Sequence, residues 1–118
     1  MSSPLKVWLD REGQLLRLRL AQPKANIVDA AMIAALSQAL DGHLDDGTLK
    51  AILLDAEGPH FSFGASVEEH MPDQCADMLA ALHALVLKLA GAPVPVLVAV
   101  QGQCLGGGLE VVLACSRI

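Results

Sequence analysis

Aromatic residues are nearly absent from this chain. They make up 3% of 118 positions: two phenylalanines, one tryptophan and no tyrosine. A surface built to stack nucleobases is therefore not expected. Basic charge is scarce as well, with 8 Lys and Arg against 13 Asp and Glu, a net charge of -5 and a pI near 5.1. That balance argues against a nucleic-acid partner. No apolar run approaches the roughly 20 residues of a membrane helix, and no signal-peptide pattern opens the chain. Cysteine is limited to Cys75, Cys104 and Cys115, an odd number without the spacing of a metal site or a disulfide framework. These residues fit buried thiols in a reducing cytoplasm.

What the chain has in excess is apolar character: 53% hydrophobic residues and a mean hydropathy of +0.48. A domain of this length buries only about two-thirds of its unfolded surface. The surplus points to a further covering surface, either another subunit or more chain.

Leu16, Leu18 and Leu20 alternate with Arg17 and Arg19, the two-residue period of a half-exposed strand. With Val7 to Asp10 and the turn Arg11-Glu12-Gly13, they predict an opening hairpin. Gln22-Pro23-Lys24-Ala25-Asn26 breaks the second strand. Lys24 is either a solvated loop charge or a contact for a ligand phosphate. Met32, Ile33, Leu36, Leu40 and Leu44 share one helical face, predicting a helix from Asp29 to about His43. Lys50 to Asp55 reads as a strand, and strand–helix–strand order implies a right-handed crossover and a parallel sheet. Asp73 to Gly91 reads as a long helix whose buried face carries Met78, Leu79, Leu82, Leu85, Val86 and Leu89. Val96 to Val100 is a β-branched apolar run that suits a strand covered on both faces. No internal linker, repeat or low-complexity segment is visible.

Two stretches carry chemistry. The first is Phe61-Ser62-Phe63-Gly64-Ala65-Ser66, which runs on through Glu69 and His70 to Pro72. Ser66 and Glu69 have capping-box spacing, so a short helix is expected to start at Ser66, with backbone N–H groups just ahead of it. Adjacent Glu68, Glu69 and His70 cannot face one point on a helix, so no metal site is expected. Glu69 and His70 either line a pocket or form a solvated face. The second is Gly102-Gln103-Cys104-Leu105-Gly106-Gly107-Gly108-Leu109-Glu110. It predicts a glycine loop, then an almost wholly apolar helix from Leu109 to about Ser116, with Glu110 as its lone acid. N–H groups at a helix start attract negative charge. If that charge develops only in a reaction, the loop is an oxyanion hole, with Glu110 beside it as acid or base. The alternative is a packed glycine turn with Glu110 as an ordinary first-turn acid.

Together the two motifs, separated by a long helix and a proline-led strand, resemble the oxyanion-hole motifs of the enoyl-CoA hydratase/isomerase (crotonase) superfamily. The resemblance implies an α/β fold, the crotonase-like spiral of β-β-α repeats. Residues 1–118 would be the N-terminal portion of one core domain, its C-terminal portion absent. It further implies that Ala65 and Gly107 supply the two N–H groups that hold a thioester oxygen, with Glu110 as catalytic glutamate. Lys24, Ala25, Phe63, Gly64, Ser66, Glu69, His70 and Gly106 would line the acyl-CoA site. The run from Phe61 to Pro72 looks closest to members that hydrate a cyclic dienoyl-CoA in anaerobic benzoyl-CoA degradation. The substrate would be an acyl-CoA thioester, with no other cofactor and no metal, and the complete protein would be a cytoplasmic trimer or dimer of trimers. Phe63 and Ser66 depart from the common family motif, which has alanine and aspartate there. The family's second glutamate would fall beyond Ile118. Another acyl-CoA chemistry on the same scaffold, or a non-catalytic CoA-binding piece, is the competing reading. A phosphate-loop protein is disfavoured because no lysine follows Gly108.

Overall fold

The computed structural model describes residues 3–22, 26–62 and 75–116. Leu5–Asp10 (β1) and Leu15–Leu20 (β2) form the antiparallel hairpin that the alternation predicts, with Leu5 opposite Leu20 and Asp10 opposite Leu15. Ala51–Ala56 (β3) lies parallel to β2, and Val96–Val98 (β4) parallel to β3, in sheet order β1-β2-β3-β4. The parallel pairs follow from helical crossovers. Ala30–His43 (α1) joins β2 to β3, and Cys75–Ala90 (α2) lies between β3 and β4. Gly106–Leu113 (α3) follows β4. Asp29 caps α1, its carboxylate accepting from the Met32 N–H at 2.9 Å.

One face of the sheet makes the core. Leu16, Leu18, Leu20, Ile52, Leu54, Val96 and Val98 pack with Met32, Leu36 and Leu40 of α1, Leu82, Leu85 and Leu89 of α2, and Val111 and Val112 of α3. Each such side chain stabilises the fold by roughly 1.5–3 kcal/mol when fully buried. The other face of the hairpin is ionic. Asp55 accepts from Arg19 Nε at 2.9 Å and Nη2 at 2.8 Å, and from Arg17 Nη2 at 3.2 Å. Arg17 also bonds Asp10 at 3.1 Å, and both guanidiniums lie about 5 Å from the Trp8 ring centroid.

Several expectations are corrected. β4 is three residues long and covered on one face only: Val96 and Val98 are buried, Leu97 is exposed. Successive residues of a strand point to opposite faces, and only one face meets the helices. Leu79 was expected on the buried face of α2 but is 51% exposed. α3 starts at Gly106 and ends at Leu113, three residues earlier than predicted at its start, and Leu109 and Leu113 are exposed. A repeat also exists, in geometry and not in sequence. Among the described residues, each α-helix is preceded by a sheet strand and then by a single bridging residue: Val28 after β2, Ser62 after β3 and Cys104 after β4. The expected short helix at Ser66 lies outside the described residues.

Candidate functional site

Parallel neighbours β3 and β4 end at the same edge of the sheet, where open α/β folds place their ligands. The segments that leave these strands stay together. Phe61 N–H donates to the Gln101 carbonyl at 2.8 Å, Ser62 N–H to the Gln103 carbonyl at 3.2 Å, and Leu105 N–H to the Ser62 carbonyl at 3.0 Å. Ser62 and Cys104 thereby form a parallel bridge. The two chemistry-bearing motifs are thus laid side by side although about 40 residues separate them.

Two glycines of the second motif are required by the first. Gly102 is left-handed, at φ +61, and a Cβ there would overlap the Pro59 carbonyl oxygen and the His60 ring. At Gly108 a Cβ would sit 2.6 Å from Ser62 Cβ and 2.7 Å from its Oγ. Ser62 itself is fully buried, its hydroxyl donating to the Asn26 carbonyl at 2.7 Å.

α3 then opens against this bridge. The Leu105 carbonyl accepts from the Gly108 N–H at 3.0 Å and the Leu109 N–H at 3.3 Å. The N–H groups of Gly106 and Gly107 precede the first intrahelical donor, so the helix provides them no acceptor. Helix geometry therefore offers these amides to a group ahead of the helix, where its dipole favours negative charge.

A third segment joins. Asn26 takes the left-handed conformation, φ 45, which its side chain tolerates. Its Oδ1 accepts from the Gln22 N–H at 2.9 Å, and its Nδ2 donates to the Glu57 carbonyl at 2.9 Å and the His60 carbonyl at 3.3 Å. The Gln101 side-chain amide donates to the Gly58 carbonyl.

Among the expected site residues, Gly106 and Gly107 lie in the first turn of α3. Glu110 lies further along the same helix, its side chain outside what is described. Lys24, Ala25, Phe63, Gly64, Ala65, Ser66, Glu69 and His70 lie outside the described residues. Their flanks do not: Asn26, next to Ala25, is bonded to Ser62, next to Phe63. Asn26, His60, Ser62 and Gly102 were not singled out from sequence. Their roles rest on contacts between segments, which no local pattern encodes. The described thiols are not activated. Burial raises Cys104 and pushes Cys115 up to about 11, the reverse of a nucleophilic cysteine. Two grooves mark the helical layer, one of ≈ 540 Å³ between α2 and α3 and one of ≈ 450 Å³ between α1 and α2. Neither is lined by residues 57–62 or 101–105.

Comparison with known proteins bears on this geometry. A family model described as enoyl-CoA hydratase/isomerase matches residues 10–118. The chain is 74% identical over 113 residues to cyclohexa-1,5-dienecarbonyl-CoA hydratase of Thauera aromatica, covering 96% of this chain and 44% of the relative. It is 37% identical over 123 residues to carnitinyl-CoA dehydratase of Salmonella arizonae, covering 100% of this chain and 46% of the relative. Among solved structures, an enoyl-CoA hydratase of Mycobacterium smegmatis superposes with a TM-score of 0.89 at 26% identity, over 97% of this chain and 46% of that one. The chain thus spans less than half the length of these relatives.

Proposed function

The chain belongs to the enoyl-CoA hydratase/isomerase family, and from that premise we propose that it serves a hydro-lyase acting on a cyclic dienoyl-CoA. Water adds to cyclohexa-1,5-diene-1-carbonyl-CoA and gives 6-hydroxycyclohex-1-ene-1-carbonyl-CoA, a step of anaerobic benzoyl-CoA degradation. The observation that carries this reading is the 74% identity to a hydratase of that substrate, against 37% for the carnitinyl-CoA enzyme.

The chemistry balances as a conjugate addition. Water gives its proton to a base while its oxygen bonds to the ring carbon β to the thioester. The electron pair of that double bond moves onto the carbonyl oxygen as a dienolate. A proton then joins the far carbon of the diene, and the remaining double bond shifts into conjugation with the thioester. The amides of Ala65 and Gly107 hold the oxygen as its charge grows, each donor worth roughly 3–4 kcal/mol of barrier. Glu110 takes the proton from water or delivers the one to carbon. Support for these roles comes from the pairing of the two motif segments and from the place of Gly107 in the first turn of α3. The acyl-CoA is substrate, and no further cofactor or metal is invoked. A cytoplasmic trimer or dimer of trimers is the assembly proposed.

The test is product analysis by mass spectrometry with the native protein, using the cyclic dienoyl-CoA and crotonyl-CoA in parallel. Hydration of the cyclic diene is the expected result. Turnover of crotonyl-CoA alone would assign a different hydratase, and CoA binding without turnover of either would remove the hydratase reading. Glu110→Gln in the native protein is expected to lower kcat by on the order of 10²–10⁴-fold. Full activity in that variant would strip Glu110 of its role.

A further inference from the structure

The pairing of the two motif segments contains an irregular rung. In a parallel ladder continued one step back from the Ser62–Cys104 bridge, the Gln103 N–H would be donated to the His60 carbonyl. It is donated instead to Nδ1 of the His60 ring, at 2.9 Å. The displaced carbonyl accepts from Asn26 Nδ2 at 3.3 Å. Gly102, between the paired residues, leaves the space the ring occupies, since any Cβ there would overlap His60 Nδ1.

We propose that His60 is a positioning residue that replaces one backbone rung with its side chain and so ties three segments at one point. Its ring fixes the second motif through Gln103. Its main chain leads directly into the first motif at Phe61. Its carbonyl, released from the ladder, engages Asn26 and with it the 22–26 segment. An N–H donor needs a lone pair, so Nδ1 is unprotonated and the ring proton sits on Nε2. The ring thereby joins the Phe61–Gln101, Ser62–Gln103 and Leu105–Ser62 backbone bonds in setting the distance between the two motif segments, and takes the place of one further bond of that kind. The donor pair of an oxyanion site tolerates little displacement, and a misplacement of about 1 Å costs on the order of 10²-fold in rate.

The catalytic part of this inference rests on the hydratase reading; the clasp itself does not. His60→Ala removes the acceptor. His60→Asn restores one, because its Oδ1 stands where Nδ1 stood. In the native protein two readings are taken on each variant: steady-state hydration of the cyclic dienoyl-CoA, and hydrogen exchange at the Gln103 amide resolved by fragmentation mass spectrometry. His60→Ala is expected to speed Gln103 exchange about tenfold and to lower kcat by roughly tenfold or more with KM within about twofold. His60→Asn is expected to bring both back to within about threefold of the parent. The inference is overturned if alanine leaves exchange unchanged, or if a folded asparagine variant exchanges Gln103 as fast as alanine does. Should the parent hydrate no acyl-CoA, the functional reading falls, while the exchange measurement still decides the clasp.

Discussion

Asp55 holds two guanidiniums at once, and the hairpin depends on it. Arg19 is its main partner, and together with Arg17 it keeps the Asp55 carboxyl below the usual carboxylate range, against the opposing effect of burial. A carboxyl whose folded pKa is lowered contributes stability above its unfolded pKa of about 3.9 and loses it as the pH falls through the folded value. Asp55→Asn leaves Arg17 and Arg19 facing a neutral amide, and is expected to cost about 1–2 kcal/mol at pH 7, discounted for partial exposure. Urea unfolding of both proteins at pH 7 and pH 3 checks this: the gap should narrow at pH 3. An equal gap at both values would show that the carboxylate charge plays no part. The alternation of Arg17 and Arg19 with buried leucines was legible in the sequence, because period two is a local signal. Their partner was not. Asp55 lies 36 residues beyond Arg19, and only the parallel register opposes them.

The third helix shows where element boundaries escape sequence reading. Glycine is a poor helix former, by about 1 kcal/mol against alanine, so the run Gly106-Gly107-Gly108 reads as loop. The helix nevertheless begins there, because Leu105 accepts from both Gly108 and Leu109 and because Gly108 must lie flush on Ser62. Propensity and packing give opposite signs for Gly108→Ala. Packing wins, since Ser62 is fully buried and pinned by its hydroxyl, and cannot give way to a Cβ at 2.6 Å. A loss of about 1–3 kcal/mol is expected. Thermal melts of Gly108→Ala, Ser62→Gly and the double variant form the check: the alanine should cost less once Ser62 is glycine. A melting temperature raised by Gly108→Ala in the parent would reverse the ranking of the two effects. The first two helices, by contrast, were legible because leucine and methionine periodicity marks them over three turns or more.

Among the described residues, one apolar cluster joins the sheet to α1, α2 and α3, so unfolding should be a single event. Leu85 on α2 is fully buried within it. Leu85→Ala is expected to cost about 2–5 kcal/mol, a large share of the roughly 5–15 kcal/mol that a domain has in total. Trp8 fluorescence reports the hairpin and far-UV circular dichroism the helices, and both transitions should shift together. A shift in one alone would divide the core. Layering and parallel order were legible, because crossovers and hydrophobic runs dictate them. The exposed Leu79, Leu97, Leu109 and Leu113 were not: hydropathy marks what can be buried, and contact decides what is. The seating of Gly108 on Ser62 also bears on laboratory recombination. A chimera whose crossover falls between those positions inherits one half of the fit from each parent. Breeding experiments with relatives of this chain should therefore move both positions as one cassette, or pair any bulkier donor residue at 108 with a smaller one at 62.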